Sequence, residues 1–559
     1  MITSNTKNGG QLLVDCLLAL GASRSFGVPG ESYLAVLDAL HDTAGKLDFT
    51  LCRNEGGAAF MAEAYGKLTA TPGICFVTRG PGATNASIGV HTAMQNSSPM
   101  ILFVGQVGTD MMGREAFQEV DYSAYFGSLA KWVTQIDSVD RIPEMISRAW
   151  SMALSGRPGP VVVALPEDML TSITTAAVCK PVRIAEPAVD DQTLDEITER
   201  LQAASQPLVI VGGGGWQDTG STAIQNFAET NDIPLLAAFR FQDIVDNHSD
   251  SYVGEAGVGM VEPIKALIRD ADLILAIGVR FGEMTTDGYS LLDSPNPATV
   301  LIHAHASDRE LGKVYAADIP VHAGPNAMST ALQKVQVKGP WSRWRLQARE
   351  AFLAGFDAPV QPGDVDMVEV TRHLREVLPD DVILTNGAGN FTVWPNKFFM
   401  FGPRQRLLAP QSGAMGYGLP AAIAAKVAQP ERTVVCFAGD GDFQMNCQEL
   451  GSAMQANAQP IILILNNGSY GTIRMHQERT YPARVSGTDL HNPDFVGLAK
   501  AYGFHAEKVQ STEDFAAAFE RAMASTSGAV LELSISADAI TPRQTLSQMR
   551  EIALAKTRD

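Results

Sequence analysis

The stretch TVVCFAGDGDF (residues 433–443) and the run IILILNN (residues 461–467) decide how this chain is read. Each opens as an unbroken apolar, largely β-branched run, with no alternation of polar and apolar residues. A strand that is apolar on both faces is covered on both faces, which is the pattern of a parallel sheet packed between helices. The residues that end each run suit ligand binding better than packing. Gly439-Asp440-Gly441 follows the first, Asn466-Asn467 closes the second, and 24 residues separate Gly441 from Asn466. Ligands of open parallel sheets sit outside the carboxyl ends of the strands. A carboxylate and an amide oxygen at adjacent strand ends suit a hard divalent cation, typically Mg²⁺, that keeps phosphate oxygens among its partners. The flanking glycines let the backbone approach a diphosphate, and a helix expected to start near Phe443 would aim its N-terminus at that charge. Taken singly, G-D-G and N-N-G are ordinary turn sequences. The two together, at this spacing and after these strands, point to a cation site.

The same kind of strand recurs on either side. ICFVT (74–78), MILFV (100–104) and PVVVAL (160–165) form one set, and PLVIV (207–211) and LILAI (273–277) a second. Residues 382–384 join the two opening runs in a third. Helical-period segments alternate with these strands, so the expected class is α/β. Two breaks divide the chain: the Pro-dotted CKPVRIAEPAVDD (179–191), and QPGDVD (361–366) after a charged, helix-like segment at 341–352. The expected organisation is three domains, 1–178, 192–340 and 366–540, each a mostly parallel sheet flanked by helices. The first and third blocks look like copies of one unit. In both, an apolar strand leads to a glycine turn (Gly80-Pro81-Gly82 or Gly439-Asp440-Gly441). A helix follows with Ala-Met-Gln (93–95 or 453–455), then a proline (Pro99 or Pro460) and another apolar strand. The whole ordered string argues for duplication. Asp440 stands where the first copy has Pro81, so only the third block can hold a cation there.

Composition narrows the classes. At roughly 100–200 residues per domain, 559 residues suit three or four domains. Hydrophobic residues at 45% and charged residues at 18% exclude wholesale disorder. Lys and Arg number 42 against 61 Asp and Glu, a net charge of −19, which argues against a nucleic-acid partner. The six cysteines form no C-x-x-C pair and read as buried thiols of a reducing compartment. No apolar run approaches the ~20 residues that span a bilayer. Residues 1–10 are polar and lack the apolar region of a secretory signal, so the expected location is the cytoplasm, away from membranes.

With these motifs the chain resembles the thiamine-diphosphate enzymes of the acetolactate synthase and pyruvate decarboxylase superfamily. It carries their G-D-G…N-N string, and the resemblance runs over nearly the whole chain in the same three-block order. The resemblance implies a pyrimidine-binding domain, a central α/β domain and a diphosphate-binding domain. It makes the side chains of Asp440 and Asn467 and the carbonyl of Ser469 the Mg²⁺ ligands. RNEGGA (53–58) is similar to the family segment that presents a catalytic glutamate. Glu55 would then share a proton with the cofactor's aminopyrimidine ring, and should sit in an apolar pocket with a raised pKa. The bland alternative is a surface glutamate in the first turn of a helix. In Gly413-Ala414-Met415-Gly416, Met415 matches the apolar wedge that bends the cofactor and Gly413 a backbone contact to its pyrimidine. Gly389-Asn390 matches a diphosphate turn, although Asn390-Phe391 replaces the Gln-His of many acetolactate synthases. Gly439, Gly441 and the backbone N–H of Asp442 complete the implied cofactor contacts.

Several segments lean toward the acetolactate synthase branch: GPGATN (80–85), GQV (105–107), AFQE (116–119) and RPGP (157–160). Phe117, Gln118 and Lys131 match positions that approach the active site in that branch. Other positions depart. GVPGES (27–32) puts Glu31 and Ser32 where the branch has a plain backbone turn. His476 stands at its acceptor-site tryptophan, and Thr472-Ile473 at its Met-Val pair. A pocket with Glu31, Ser32, Gln118 and His476 is more polar than the usual one, and buried polar groups need partners. That favours a substrate with extra polar groups. His476 could also transfer protons near neutral pH, or be an exposed helix residue. GGGG (212–215) and GVRF (278–281) resemble nucleotide-facing segments of the central domain. The family's R-F-D-D-R continuation is replaced by RFGEM (280–284), so FAD stays open on sequence.

The leading reading is a thiamine-diphosphate- and Mg²⁺-dependent carboligase. It decarboxylates a 2-oxo acid and joins the remainder to a second carbonyl, the acceptor. The alternatives are a non-ligating 2-oxo acid decarboxylase, a 2-hydroxyacyl lyase, or a non-catalytic partner of the same fold. The intact Glu55, Asp440 and Asn467 argue against the last. Because the family builds its site from two subunits, the resemblance implies a homodimer or homotetramer.

Overall fold

In the computed structural model, which describes residues 6–337 and 339–556, each block builds one six-stranded sheet in which every pairing is parallel. The first five residues of the polar N-terminus lie outside the described residues. The first sheet holds Arg24–Gly27 (β1), Asp48–Leu51 (β2), Gly73–Val77 (β3), Met100–Gln106 (β4), Trp132–Gln135 (β5) and Pro160–Pro166 (β6). The second holds Pro207–Val211 (β7), Leu235–Ala238 (β8), Tyr252–Ala256 (β9), Leu273–Ile277 (β10), Val300–His305 (β11) and Ile319–His322 (β12). The third holds Ile383–Asn386 (β13), Arg406–Leu408 (β14), Val434–Gly439 (β15), Ile461–Asn466 (β16), His505–Val509 (β17) and Ala529–Ser534 (β18).

Counted along the chain within each sheet, the first and third share one spatial order, 2-1-3-4-6-5. This is the duplication that the repeated motif string implies. The central sheet runs 3-2-1-4-5-6, the doubly wound order that opens a crevice between β7 and β10.

The continuous apolar runs are buried on both faces, as their patterning demands. Along β3 and β4, Cys75, Val77, Leu102 and Val104 point into one core, and Ile74, Phe76, Ile101 and Phe103 into another. The first of these cores also takes Val434, Cys436, Ala438, Ile462 and Ile464 from the third sheet, so the first and third domains share it. At its centre the helix Glu55–Thr69 packs on the helix Gly418–Ala428. Both are rich in alanine and glycine at buried positions, which lets two helices approach closely. This contact fixes where the helix beginning at Glu55 can start.

Two local expectations change. The helix after β15 begins at Asp440 rather than near Phe443, because Gly439 is extended (φ −75°, ψ 158°) and caps it directly. Gly80-Pro81-Gly82 is the first turn of the helix Gly80–Asn96 rather than a turn before it. Proline is well suited to that first turn, where its missing N–H has no helical partner to lose. Of the six cysteines, Cys16, Cys52, Cys75 and Cys436 are buried, while Cys179 and Cys447 are half-buried; none is in a disulfide. Among the described residues no helix is long and apolar enough to cross a membrane.

Candidate active site

The register of the third sheet sets Gly439 opposite Leu465, so Asp440 and Asn466 meet at the carboxyl edge of β15 and β16. The amide of Asn492 bridges them, donating to Asp440 Oδ2 (2.7 Å) and to Asn466 Oδ1 (2.9 Å). Asn467 Oδ1 accepts from the N–H (3.1 Å) and the hydroxyl (3.3 Å) of Ser469. Gly468, at φ +64°, allows this tight turn, and Leu490 N–H and Thr488 O pin it from outside. Asp440 is buried, and burial pushes its carboxyl up against the opposing bond from Asn492. A divalent cation beside it would remove that penalty. The donors gathered here are one carboxylate and neutral oxygens, which suits a hard cation that draws its other ligands from a diphosphate. A Cβ at Gly441 would lie 2.5 Å from the Tyr470 ring, so only glycine lets the helix start this close to the 467–470 turn.

Asp442 does more than offer its N–H. Its buried carboxylate accepts from Gly416 N–H (2.9 Å) and Ala388 N–H (3.2 Å), clasping the 387–389 and 413–416 loops to the helix that starts at Asp440. Burial pushes this carboxyl up to about 7. Asn390 is likewise committed inside the protein. Its backbone N–H donates to Thr472 Oγ1 (2.8 Å), that hydroxyl donates to Asn390 Oδ1 (2.7 Å), and Asn390 Nδ2 donates to the Ile540 carbonyl (2.8 Å). Asn390 and Thr472 therefore act as a pair. Gly389 and Gly413 adopt positive φ, and Met415 beside them is half-buried.

Glu55 is the first residue of its helix, capped by Asn54. Its carboxylate accepts from Asn85 Nδ2 (2.9 Å) of the GPGATN segment. In the single chain it is half-buried, not enclosed in the expected apolar pocket. A cleft of about 1070 Å³ is lined by Gly389, Asn390, Gly413, Thr472 and His476, and Glu55 is not part of it.

The residues expected in the substrate pocket divide. Thr472, Ile473 and His476 share the helix Gly471–Thr480, with His476 and Ile473 exposed. Glu31, Ser32, Phe117 and Gln118 belong to the first domain. Ser32 is fully buried; its hydroxyl meets Thr78 Oγ1 (3.0 Å) and it packs against Gly105, so it supports the loop. Phe117 is exposed, and Gln118, at φ +65°, uses its carbonyl to hold Gly80 N–H. Lys131 donates to the Ser155 carbonyl (2.7 Å), and burial, helped by nearby Arg157, lowers its pKa to about 8.

Two residues that the motifs did not single out organise these groups. Buried Arg79 donates to Glu31 Oε1 (3.3 Å), Glu167 Oε2 (3.2 Å) and the Phe117 carbonyl (3.3 Å), tying three loops at the same sheet edge. Its position directly before GPGATN was the available signal. Buried Glu63 accepts from Asn96 (2.7 Å), Ser98 (2.6 Å) and Tyr417 (2.5 Å), bonding the first domain to the third. A glutamate amid AAFMAEAY was the signal there.

The glycine turn after β7 is tightly packed on one side, while Gly213 also lines the cleft together with Arg240, Arg280 and Glu283. A Cβ at Gly213 would meet the Gly278 carbonyl at 2.2 Å, and one at Gly214 the Ser97 carbonyl at 2.1 Å. β8 ends at Ala238 and continues into Phe239-Arg240, where Arg240 N–H donates to Glu255 Oε1 (2.9 Å).

Three family models match the chain: the thiamine pyrophosphate enzyme N-terminal TPP binding domain over residues 7–125, the central domain over 194–332, and the C-terminal TPP binding domain over 387–533. The chain is 31% identical to the acetolactate synthase isozyme 2 large subunit of Escherichia coli (strain K12), over 94% of this chain and 95% of that one. It is 32% identical to the acetolactate synthase large subunit of Lactococcus lactis subsp. lactis (strain IL1403), over 91% and 89%. The mitochondrial acetolactate synthase catalytic subunit of Saccharomyces cerevisiae is 30% identical, over 94% and 80%.

Proposed function

The chain belongs to the thiamine pyrophosphate enzyme family, among its acetolactate synthase-like members, and from that premise we propose that it decarboxylates a 2-oxo acid and ligates the remainder to a second carbonyl compound. The observation that carries the reading is the meeting of Asp440, Asn466 and the Asn467 turn at one sheet edge. There, Asp440, Asn467 and the Ser469 carbonyl would hold Mg²⁺. Gly389, Asn390, Gly439, Gly441 and the Asp442 N–H would face the diphosphate, and Gly413 and Met415 the pyrimidine side. When bound, thiamine diphosphate supplies the electron sink for loss of CO₂.

The chain's own residues position, shield and move protons. Glu55 holds a proton at the pyrimidine ring, and Asn85 orients its carboxylate. Thr472, Ile473 and His476 line the substrate side, and Glu31, Phe117 and Gln118 approach it from the first domain. Flavin stays open, because Gly213 and Arg280, from the two segments that resemble nucleotide-facing turns, line the same cleft as Gly413; a yellow purified protein would decide it. The relatives favour ligation over simple decarboxylation or lyase chemistry. The test is mass analysis of products from a panel of 2-oxo acids, with and without aldehyde acceptors. Acetolactate from pyruvate, or a mixed hydroxyketone, is expected; free aldehyde as sole product would replace ligation by decarboxylation.

Glu55 stands outside the cleft that holds the third-domain residues. We therefore place the complete site between two copies of the chain, in a cytoplasmic homodimer or homotetramer. Activity per mole should collapse as the protein is diluted to monomer and return on concentration, with sedimentation measured at the same concentrations. A fully active monomer would refute the shared site.

A further inference from the structure

We propose that Glu449 is a positioning residue for Glu55: a buried carboxylate of the third domain that grips the backbone from which the first domain presents its proton-transfer group. The inference rests on the role given to Glu55 above. Glu449 ends the short helical turn Cys447–Glu449, which follows the helix starting at Asp440, and it is fully buried. An unpaired carboxylate there would be costly, and this one is fully engaged. Its two oxygens accept from Arg53 N–H (3.1 and 3.2 Å), Oε1 accepts from Asn54 N–H (2.9 Å), and Oε2 accepts from the Ser452 hydroxyl (2.6 Å). Both gripped N–H groups immediately precede Glu55. Asn54 in turn caps the helix through Gly56 N–H (2.8 Å). The Arg53 side chain closes the clamp, donating to the Gly451 carbonyl (3.2 Å) and to Gln455 Oε1 (2.9 Å).

The geometry also explains a glycine. A Cβ at Gly57 would lie 2.7 Å from Glu449 Oε1 and 2.8 Å from its Cδ, so the space beside the helix's first turn is reserved for this carboxylate. The bonds from Arg53 and Asn54 to Glu449 span 396 and 395 residues, and those from the Arg53 side chain to Gly451 and Gln455 span 398 and 402, so all of these partners come from the third domain. The place of Glu55 is thus set by the third domain, although its own contacts, Asn85 and the space beside Gly82, lie in the first.

The experiment measures exchange of the cofactor's thiazolium proton for deuterium, together with thiamine diphosphate affinity, in the Mg²⁺-loaded full chain. Glu449→Gln keeps the volume but turns one gripping oxygen into a donor that faces the N–H groups. Misplacing a catalytic group by 1 Å costs about a hundredfold, so exchange should slow by about ten- to a hundredfold. Cofactor affinity should stay near that of the parent, since no diphosphate or metal contact is altered. A generally loosened fold would instead lower both. Ser452→Ala, which removes only the hydroxyl bond, should slow exchange in the same direction by a few-fold, and it decides the matter if the glutamine variant does not fold. Exchange at the parent rate in whichever variant folds overturns the positioning role. If Glu55→Gln also exchanges at the parent rate, the assignment of Glu55 itself has failed; if Glu55→Gln is slow and the Glu449 and Ser452 variants are not, only the positioning role has.

Discussion

Replacing Asp440 by alanine should abolish Mg²⁺-dependent binding of thiamine diphosphate, with calorimetry showing affinity reduced by about a hundredfold or more. The size follows from the donor set. Asp440 is the only carboxylate among the three proposed ligands, so it supplies the only formal charge that the protein offers the cation. It is also buried, and burial alone pushes its carboxyl up. The structure accepts that penalty at the edge of a sheet, with the bridging amide of Asn492 and nearby backbone N–H groups in support. Removing the carboxylate leaves Asn492 bonded to Asn466 and Gln444 and takes the charge from the strand end beside the 467–470 turn. The chain should still fold, because the turn is pinned independently by Thr488 and Leu490. Undiminished Mg²⁺-dependent binding in a folded Asp440→Ala protein would remove the metal site from this edge.

The second large effect is expected at Glu55. Glu55→Gln should bind thiamine diphosphate almost normally yet exchange the thiazolium proton more slowly by about 10²- to 10⁴-fold, the usual worth of a positioned acid–base group. The amide keeps the size of the side chain and can still meet Asn85, which donates to Oε2 in the parent. It cannot hold or release a proton. Binding and exchange therefore separate, with the diphosphate anchored in the third domain and the proton handled from the first. Deuterium exchange quenched in acid and read by proton NMR gives the rate directly. An unchanged rate would leave Glu55 as no more than a helix-start glutamate.

Much of the fold was legible because burial on both faces writes unbroken apolar runs. PLVIV and LILAI match β7 and β10 residue for residue, and the other such runs shift by one or two positions at an end. The strands the patterning missed, such as β1, β2 and β5, are four residues long, and β2 and β5 are only partly buried, too brief and mixed to show a period. The proposed cation edge was legible for a related reason: glycine, Asp440 and Asn467 are tied to strand ends, and strand ends are visible in sequence. Pocket residues fared differently. Ser32 reads as a pocket hydroxyl but supports a loop, and Lys131 reads as an active-site lysine but caps the Ser155 carbonyl. Position in a motif says which loop a side chain belongs to; it does not say which side of the loop it faces.

The sequence by itself determined the class of fold, the three sheets, the kinship of the first and third domains, and the residues proposed for the cation edge. All of these rest on periodicity or on short local strings. Only the tertiary structure decided that Asp442 clasps two loops, that Arg79 holds Glu31, that Glu63 bonds one domain to another and that Glu449 grips the backbone before Glu55. The physical reason is the same in each case. A buried carboxylate or guanidinium chooses partners by where the packed helices and sheets deliver them, across hundreds of residues, and such bonds leave no period and no motif in the chain.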